Sequence, residues 1–221
     1  MSAPIRVLLV DDQQMVRAGF RMLVDSQPDL EVVGEAGDGQ AALDLLTQVT
    51  ADVVLMDVRM PVLDGVEATR RILHGDAPPR VIVLTTFDLD EYAFAALQAG
   101  ASAFLLKDAA PPDLLAAIRA VQAGDAVVAP STTRRLLDHF VQPSGSRAVV
   151  SGATARRLAD VTDREREVLS LIARGLTNPE IAATLFLSEA TVKTHVGRLL
   201  AKTDSRDRVQ LVLLALEAGL G

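Results

Sequence analysis

Short apolar runs alternate with amphipathic stretches over the first 124 residues. The runs Ile5–Val10, Leu30–Gly34, Val53–Met56, Val81–Thr85 and Ala103–Leu106 have the length and aliphatic content of strands buried on both faces. Between and after them, Met15–Val24, Ala41–Val49, Asp64–Leu73 and Tyr92–Ala99 carry apolar residues at helical intervals. A fifth helix, Asp113–Ala123, is predicted just past Pro111-Pro112, because proline suits the first turn of a helix and breaks later ones. Five strands alternating with five helices predict an α/β fold, a doubly wound five-stranded parallel sheet with helices on both faces.

Beyond this region the pattern changes. Residues 130–141 are expected to form one further helix. Gln142–Ala155 (QPSGSRAVVSGATA) lacks helical periodicity and reads as a flexible linker. From Leu158 onward the pattern is helical throughout, so the chain divides into an α/β domain (1–124), a linker (125–157) and an all-α domain (158–221). In the last part, Asp163–Arg174 ends before Gly175, a fitting C-terminal stop. Thr177-Asn-Pro-Glu180 has the spacing of a capping box with proline early in the helix. A break at Phe186-Leu187 follows, and Ser188 caps a helix over Glu189–Lys202. Two helices joined by so short a turn predict a helix-turn-helix. The final helix, Asp207–Ala218, is apolar nearly all round, so part of it is expected to meet a second subunit.

Composition narrows the chemistry. There is no cysteine, which excludes disulfides, thiolate catalysis and Cys-based zinc sites. The apolar run at the start is short and ends in two aspartates, unlike a signal peptide, and no stretch is long enough to span a bilayer. A cytoplasmic protein without membrane attachment is expected. A net charge of −7, taken over the whole chain, argues against nucleic acid. It is unevenly placed: residues 1–124 hold 18 acidic and 9 basic residues, whereas residues 125–221 hold 11 and 13. The acidity therefore belongs to the first domain and leaves the second free to bind a polyanion.

Asp11 and Asp12 follow the first strand, and Asp57 ends the third. In a doubly wound sheet of order 2-1-3-4-5, the strand order reverses between strands one and three, and ligands bind beyond the carboxyl ends there. The three carboxylates should converge on that crevice and would repel one another without a cation. A few hard oxygen ligands beside a phosphate suit Mg²⁺. Thr85, near the end of strand four, and Lys107, just past strand five, add a hydroxyl and an ammonium. Together these groups suit phosphoryl transfer, with Asp57 as nucleophile and the cation, Lys107 and Thr85 on the equatorial oxygens.

The motifs VLLVDD, VVLMDVRMPVLDG, VIVLTTFD and GASAFLLKD resemble the receiver domain of two-component response regulators, with its flavodoxin-like fold. That resemblance implies that Asp57 is the phosphoacceptor, that Asp11 and Asp12 bind Mg²⁺ with it, and that Thr85 and Phe104 form the switch pair. It also implies a sensor histidine kinase as phosphodonor and a homodimer on phosphorylation. Asp108 stands where a proline often follows the lysine. An aspartyl-phosphate phosphatase would use similar groups, but such enzymes usually carry an acid two residues after the nucleophile, where this chain has Arg59. The expected role is therefore regulatory and not enzymatic.

In the second domain, Val192, Val196, Leu199 and Leu200 gather on one side of the helix Glu189–Lys202, while Thr194, Gly197, Arg198 and Ala201 fall opposite, with Lys193 at the margin. The segment LADVTDREREVLSLIARGLTNPEIAATLFLSEATVKTHVGRLLAKT is similar to the DNA-binding domain of NarL/LuxR-type regulators. By that resemblance, Lys193 and Thr194 contact bases or the groove of double-stranded DNA, and Arg198 and Lys202 contact phosphates. Gly197 lacks the long side chain that some relatives place there. Thr203 falls in the buried stripe where relatives often carry leucine, so its hydroxyl is expected to weaken the core.

Overall fold

The structure is a computed structural model that describes residues 3–75, 77–85, 95–123 and 152–220. The chain divides after residue 127 into two compact units.

The first unit runs β1 (Ile5–Val10), α1 (Gln14–Asp25), β2 (Leu30–Ala36), α2 (Gly39–Leu46), β3 (Val53–Asp57), α3 (Gly65–Leu73), β4 (Arg80–Thr85), β5 (Ala103–Leu106) and α4 (Pro111–Gln122). The strands form one parallel sheet of order β2-β1-β3-β4-β5, as the alternation predicts. Residues 95–98 are helical, and the rest of the predicted Tyr92–Ala99 helix before them lies outside the described residues. Val7, Leu9, Val53, Leu55, Ile82 and Leu84 face one core with Val24 of α1 and Leu114, Ile118 and Val121 of α4. The alternate residues Leu8, Val10, Val54, Met56, Val81 and Val83 are equally buried. Burial on both faces is why these strands read as unbroken Val, Leu and Ile.

Register sets the upper edge of the sheet. Val10 pairs with Met56, so Asp11 and Asp57 emerge side by side. Thr85 pairs with Leu106, which puts Lys107 one step beyond it. Gly65 closes the loop after β3: its N–H donates to the Val58 carbonyl at 2.9 Å. A Cβ there would lie 1.9 Å from the Asp57 carbonyl oxygen. Glycine is thus required beside Asp57 by close backbone approach.

The second unit runs α5 (Gly152–Arg157), α6 (Asp163–Ala173), α7 (Asn178–Leu185), α8 (Glu189–Lys202) and α9 (Arg208–Glu217). Residues 152–155, expected at the end of a flexible linker, belong to α5. The expected helix 130–141 and residues 142–151 lie outside the described residues. Thr162 and Thr177 each cap a helix in a reciprocal capping box with Glu165 and Glu180. Val168, Leu169, Ile172, Ile181, Val192, Leu199, Leu211 and Leu214 form the shared core. Of the apolar residues of α9, Leu211, Val212, Leu214 and Ala215 are buried in this core.

α7 and α8 are joined by Phe186-Leu187-Ser188. Phe186 takes the left-handed conformation (φ 55°) and is 96% exposed, and the Leu187 N–H donates back to the Ala182 carbonyl. Ser188 caps α8 by accepting from the Thr191 N–H at 3.1 Å.

Candidate functional site: an acidic pocket and a basic helix

At the upper edge of the sheet, the Lys107 ammonium lies 2.7 Å from Asp11 Oδ2 and 2.8 Å from Asp57 Oδ2. The Asp11 and Asp57 side chains are only 3% and 7% exposed. The Lys107 N–H donates to the Thr85 carbonyl at 2.7 Å, which fixes the lysine backbone against the end of β4. Asp11 is held from two sides: its Oδ1 accepts from the Gln13 N–H, and its carbonyl accepts from Arg17 of α1. Asp12 is exposed at the mouth. One carboxylate oxygen from each of Asp11, Asp12 and Asp57 lies within 4.8 Å of the others. Thr85 is buried beside them. Phe104 is half-buried and pairs with Val83, which places it diagonally from Thr85 on the same face of the sheet.

The electrostatics of the pocket follow from burial. Burial pushes the Asp57 carboxyl above its ordinary pKa, with the neighbouring Asp11 adding to the shift and Lys107 opposing it. Burial alone would lower the Lys107 pKa, but the close contacts with Asp11 and Asp57 and their negative charge outweigh it and raise it. One ammonium does not neutralise three carboxylates. Asp11 Oδ2 is buried and paired with Lys107 only by charge, without a well-directed hydrogen bond. Hard oxygen donors, excess negative charge and an acceptor atom left over all fit a small divalent cation.

The second unit presents a different surface. Lys193, Thr194, Gly197, Arg198 and Ala201 of α8 are all exposed on one side, while Val192 and Leu199 are fully buried on the other. Among the described residues, neither Lys193 nor Arg198 has an ion-pair partner. Lys202 differs from them. Its ammonium sits 2.7 Å from Glu165 Oε2, so it is committed to α6 within the chain. Arg208 likewise turns inward to the Asn178 side chain and the Leu176 carbonyl.

The comparisons with known proteins agree with this division. Residues 7–119 match the response regulator receiver domain, and residues 159–215 match the bacterial regulatory proteins of the luxR family. Over 217 residues the chain is 43% identical to an uncharacterized transcriptional regulatory protein, YxjL, of Bacillus subtilis, covering 98% of this chain and 97% of that protein. The chain belongs to the LuxR-type response regulators. The transcriptional regulatory protein LiaR of Bacillus subtilis is 40% identical over 96% of each chain. The structure of ChrA, a response regulator of a heme-sensing two-component system, is similar with a TM-score of 0.53 at 35% identity and covers both chains fully. That of RcsB in complex with DNA is similar with a TM-score of 0.56 at 26% identity over 96% of this chain and 97% of that one. As a response regulator of this family, the chain is a transcriptional regulator that joins a receiver to a DNA-binding domain. Among the described residues, no helix is long and apolar enough to cross a membrane.

The structure brings together Asp11, Asp12, Asp57, Thr85 and Lys107 as the sequence predicts. It corrects the expectation for Thr203. The hydroxyl is buried but satisfied, donating to the Leu199 carbonyl at 2.7 Å and pairing with Ser205 Oγ at 2.8 Å. Arg157 of α5 ties the same corner, donating to the Thr203 carbonyl and to Ser205 Oγ. Sequence reasoning missed Gly65, Arg17, Arg157 and Glu165. Only Glu165 left a readable signal, the Thr162–Glu165 capping-box spacing.

Proposed function

We propose that Asp57 accepts a phosphoryl group from the phosphohistidine of a sensor kinase, and that this event controls DNA binding by the second unit. The observation that carries the reading is the buried Lys107 ammonium, shared between Asp11 and Asp57 at 2.7 and 2.8 Å. The Asp57 carboxylate attacks phosphorus, the P–N bond to the histidine breaks, and a new P–O bond forms on Asp57. Lys107 then transfers its contact from the carboxylate to a phosphoryl oxygen, and the Thr85 hydroxyl meets another. Asp11, Asp12 and Asp57 would hold Mg²⁺, which when bound supplies positive charge to the transferring oxygens.

The movement of Thr85 frees space beside Phe104, whose diagonal position on the same sheet face suits it to follow. That repacks the surface near β4 and β5, where two receivers pair into a homodimer. Two DNA-binding units then meet double-stranded DNA together, with Lys193 and Thr194 at the groove and Arg198 at the phosphates. This reading sets the functional boundaries at 1–124 for the receiver and near 152 for the DNA-binding unit. It also places the protein in the cytoplasm, where its DNA lies.

The test is labelling by a small acyl phosphate with Mg²⁺, followed by light scattering and a DNA mobility shift. The wild type should take up label, gain mass and bind DNA more tightly, while Asp57→Asn should do none of these. Equal labelling of Asp57→Asn refutes the assignment.

A further inference from the structure

We infer that Gly197 is a specificity-determining residue, whose missing side chain admits a thymine methyl group to the centre of the DNA-facing side of α8. The inference rests on the DNA-binding reading above and deepens it.

Among the described residues, nothing requires a glycine at this position. Its backbone is not left-handed, and a Cβ built on it meets nothing within 4 Å. It lies in the interior of a 14-residue helix, where glycine is among the least favourable residues. Neither a turn, a close internal approach nor a packing constraint accounts for it. The remaining account is a close approach by something outside the chain.

Its neighbours say what that is. Gly197 shares its face with Ala190, Thr194 and Ala201, all exposed, and is flanked by the cations Lys193 and Arg198. The Thr194 hydroxyl donates back to the Ala190 carbonyl at 3.0 Å, so this residue adds chiefly its methyl group to the face. The centre of the surface is therefore small and apolar, with no side-chain donor to read guanine or adenine, and its margins are basic. In the major groove, the one apolar feature of a base edge is the C5-methyl of thymine. Arg198 at the margin draws in the phosphates, and the gap at Gly197 lets the helix axis descend until a methyl fills it.

The test uses the full phosphorylated chain and a library of duplexes with a randomised core. The selected duplex should carry thymines at the positions facing the middle of α8. Replacing one such thymine by uracil, which removes only the methyl, should weaken the wild type by about fivefold to tenfold. Gly197→Ala should raise the melting temperature, because alanine favours the helix, yet weaken binding to the selected duplex by about tenfold and erase the difference between thymine and uracil. Opposite signs for stability and affinity separate a lost contact from a damaged fold. If Gly197→Ala binds the selected duplex as tightly as the wild type, or if uracil makes no difference, the inference is overturned. If the wild type retains no duplex while Asp57 is phosphorylated, the DNA-binding reading fails first and takes this inference with it.

Discussion

The ammonium of Lys202, at the end of α8, is paired at 2.7 Å with Glu165 of α6, a carboxylate whose side chain is only 3% exposed. The same Glu165 oxygen accepts from the Thr162 N–H at 2.9 Å. Lys202 therefore anchors the recognition helix to the helix behind it. Lys202→Ala should lower the melting temperature but leave the salt dependence of DNA binding close to that of the wild type. Arg198→Ala should do the reverse, keeping stability and reducing the slope of log affinity against log salt by about one. A reduced slope in the Lys202 variant would return that residue to the phosphate contacts.

Glu165 also sets a pH dependence. Burial alone would raise its pKa, but the hydrogen bond from Lys202, those of Thr162 and the Lys202 charge lower it from 4.5 to about 2. A carboxylate depressed in the folded state contributes stability that is complete above its unfolded pKa and is lost as pH falls toward the folded one. The second unit should thus lose stability between pH 4.5 and about 2. Glu165→Gln should flatten the melting temperature in that window, and a curve identical to the wild type would remove Glu165 as its source.

Gly65→Ala should damage the receiver more than its size suggests. The added Cβ would meet the Asp57 carbonyl at 1.9 Å, a backbone atom that moves only with β3. The expected cost is about 2–3 kcal/mol, with slower labelling of Asp57 because its carboxylate shifts from Lys107. Unchanged melting and labelling would show that the loop relaxes freely.

Thr203→Val, which keeps the shape and removes the hydroxyl, should destabilise the second unit by about 1–3 kcal/mol. It strips a donor from the Leu199 carbonyl and a partner from Ser205 in a buried corner. A thermal melt decides the matter, and a stabilised variant would favour the simple apolar-stripe account.

Phe186→Asn should stabilise the turn before the recognition helix by about 0.5–1 kcal/mol. Asparagine accepts the left-handed conformation more readily than phenylalanine. Little packing is lost, since Phe186 is 96% exposed. A drop in melting temperature would reveal a contact for the ring.

The pocket was legible because its residues sit where register must put them. Strands buried on both faces announce themselves as aliphatic runs, and Asp11, Asp57 and Lys107 each follow or end such a run. Helix ends were legible where a side chain caps them, as at Thr177, and less so at α2, which starts at Gly39 under the Asp38 cap instead of at Ala41. Lys202 was ambiguous, because an outward lysine reads the same whether it meets phosphate or a glutamate 37 residues earlier. Thr203 misled because one of the groups that satisfy its corner, Arg157, is 46 residues away. α5 was hidden by its composition: Gly, Ala and Thr carry no periodic signal, and the helix is held instead by Arg157 and by Thr154, which bonds Glu217 at 3.2 Å.

The grip of Arg157 on the end of the recognition helix bears on how such proteins can be cut and recombined. A fragment beginning at Leu158, where the helical pattern becomes obvious, discards Thr154 and Arg157 and leaves the Thr203–Ser205 corner open to water. A fragment beginning before Gly152 keeps both. The same holds for a chimera that grafts this DNA-binding unit onto a foreign receiver. If the junction falls inside α5, the graft inherits α8 without the strut that braces it.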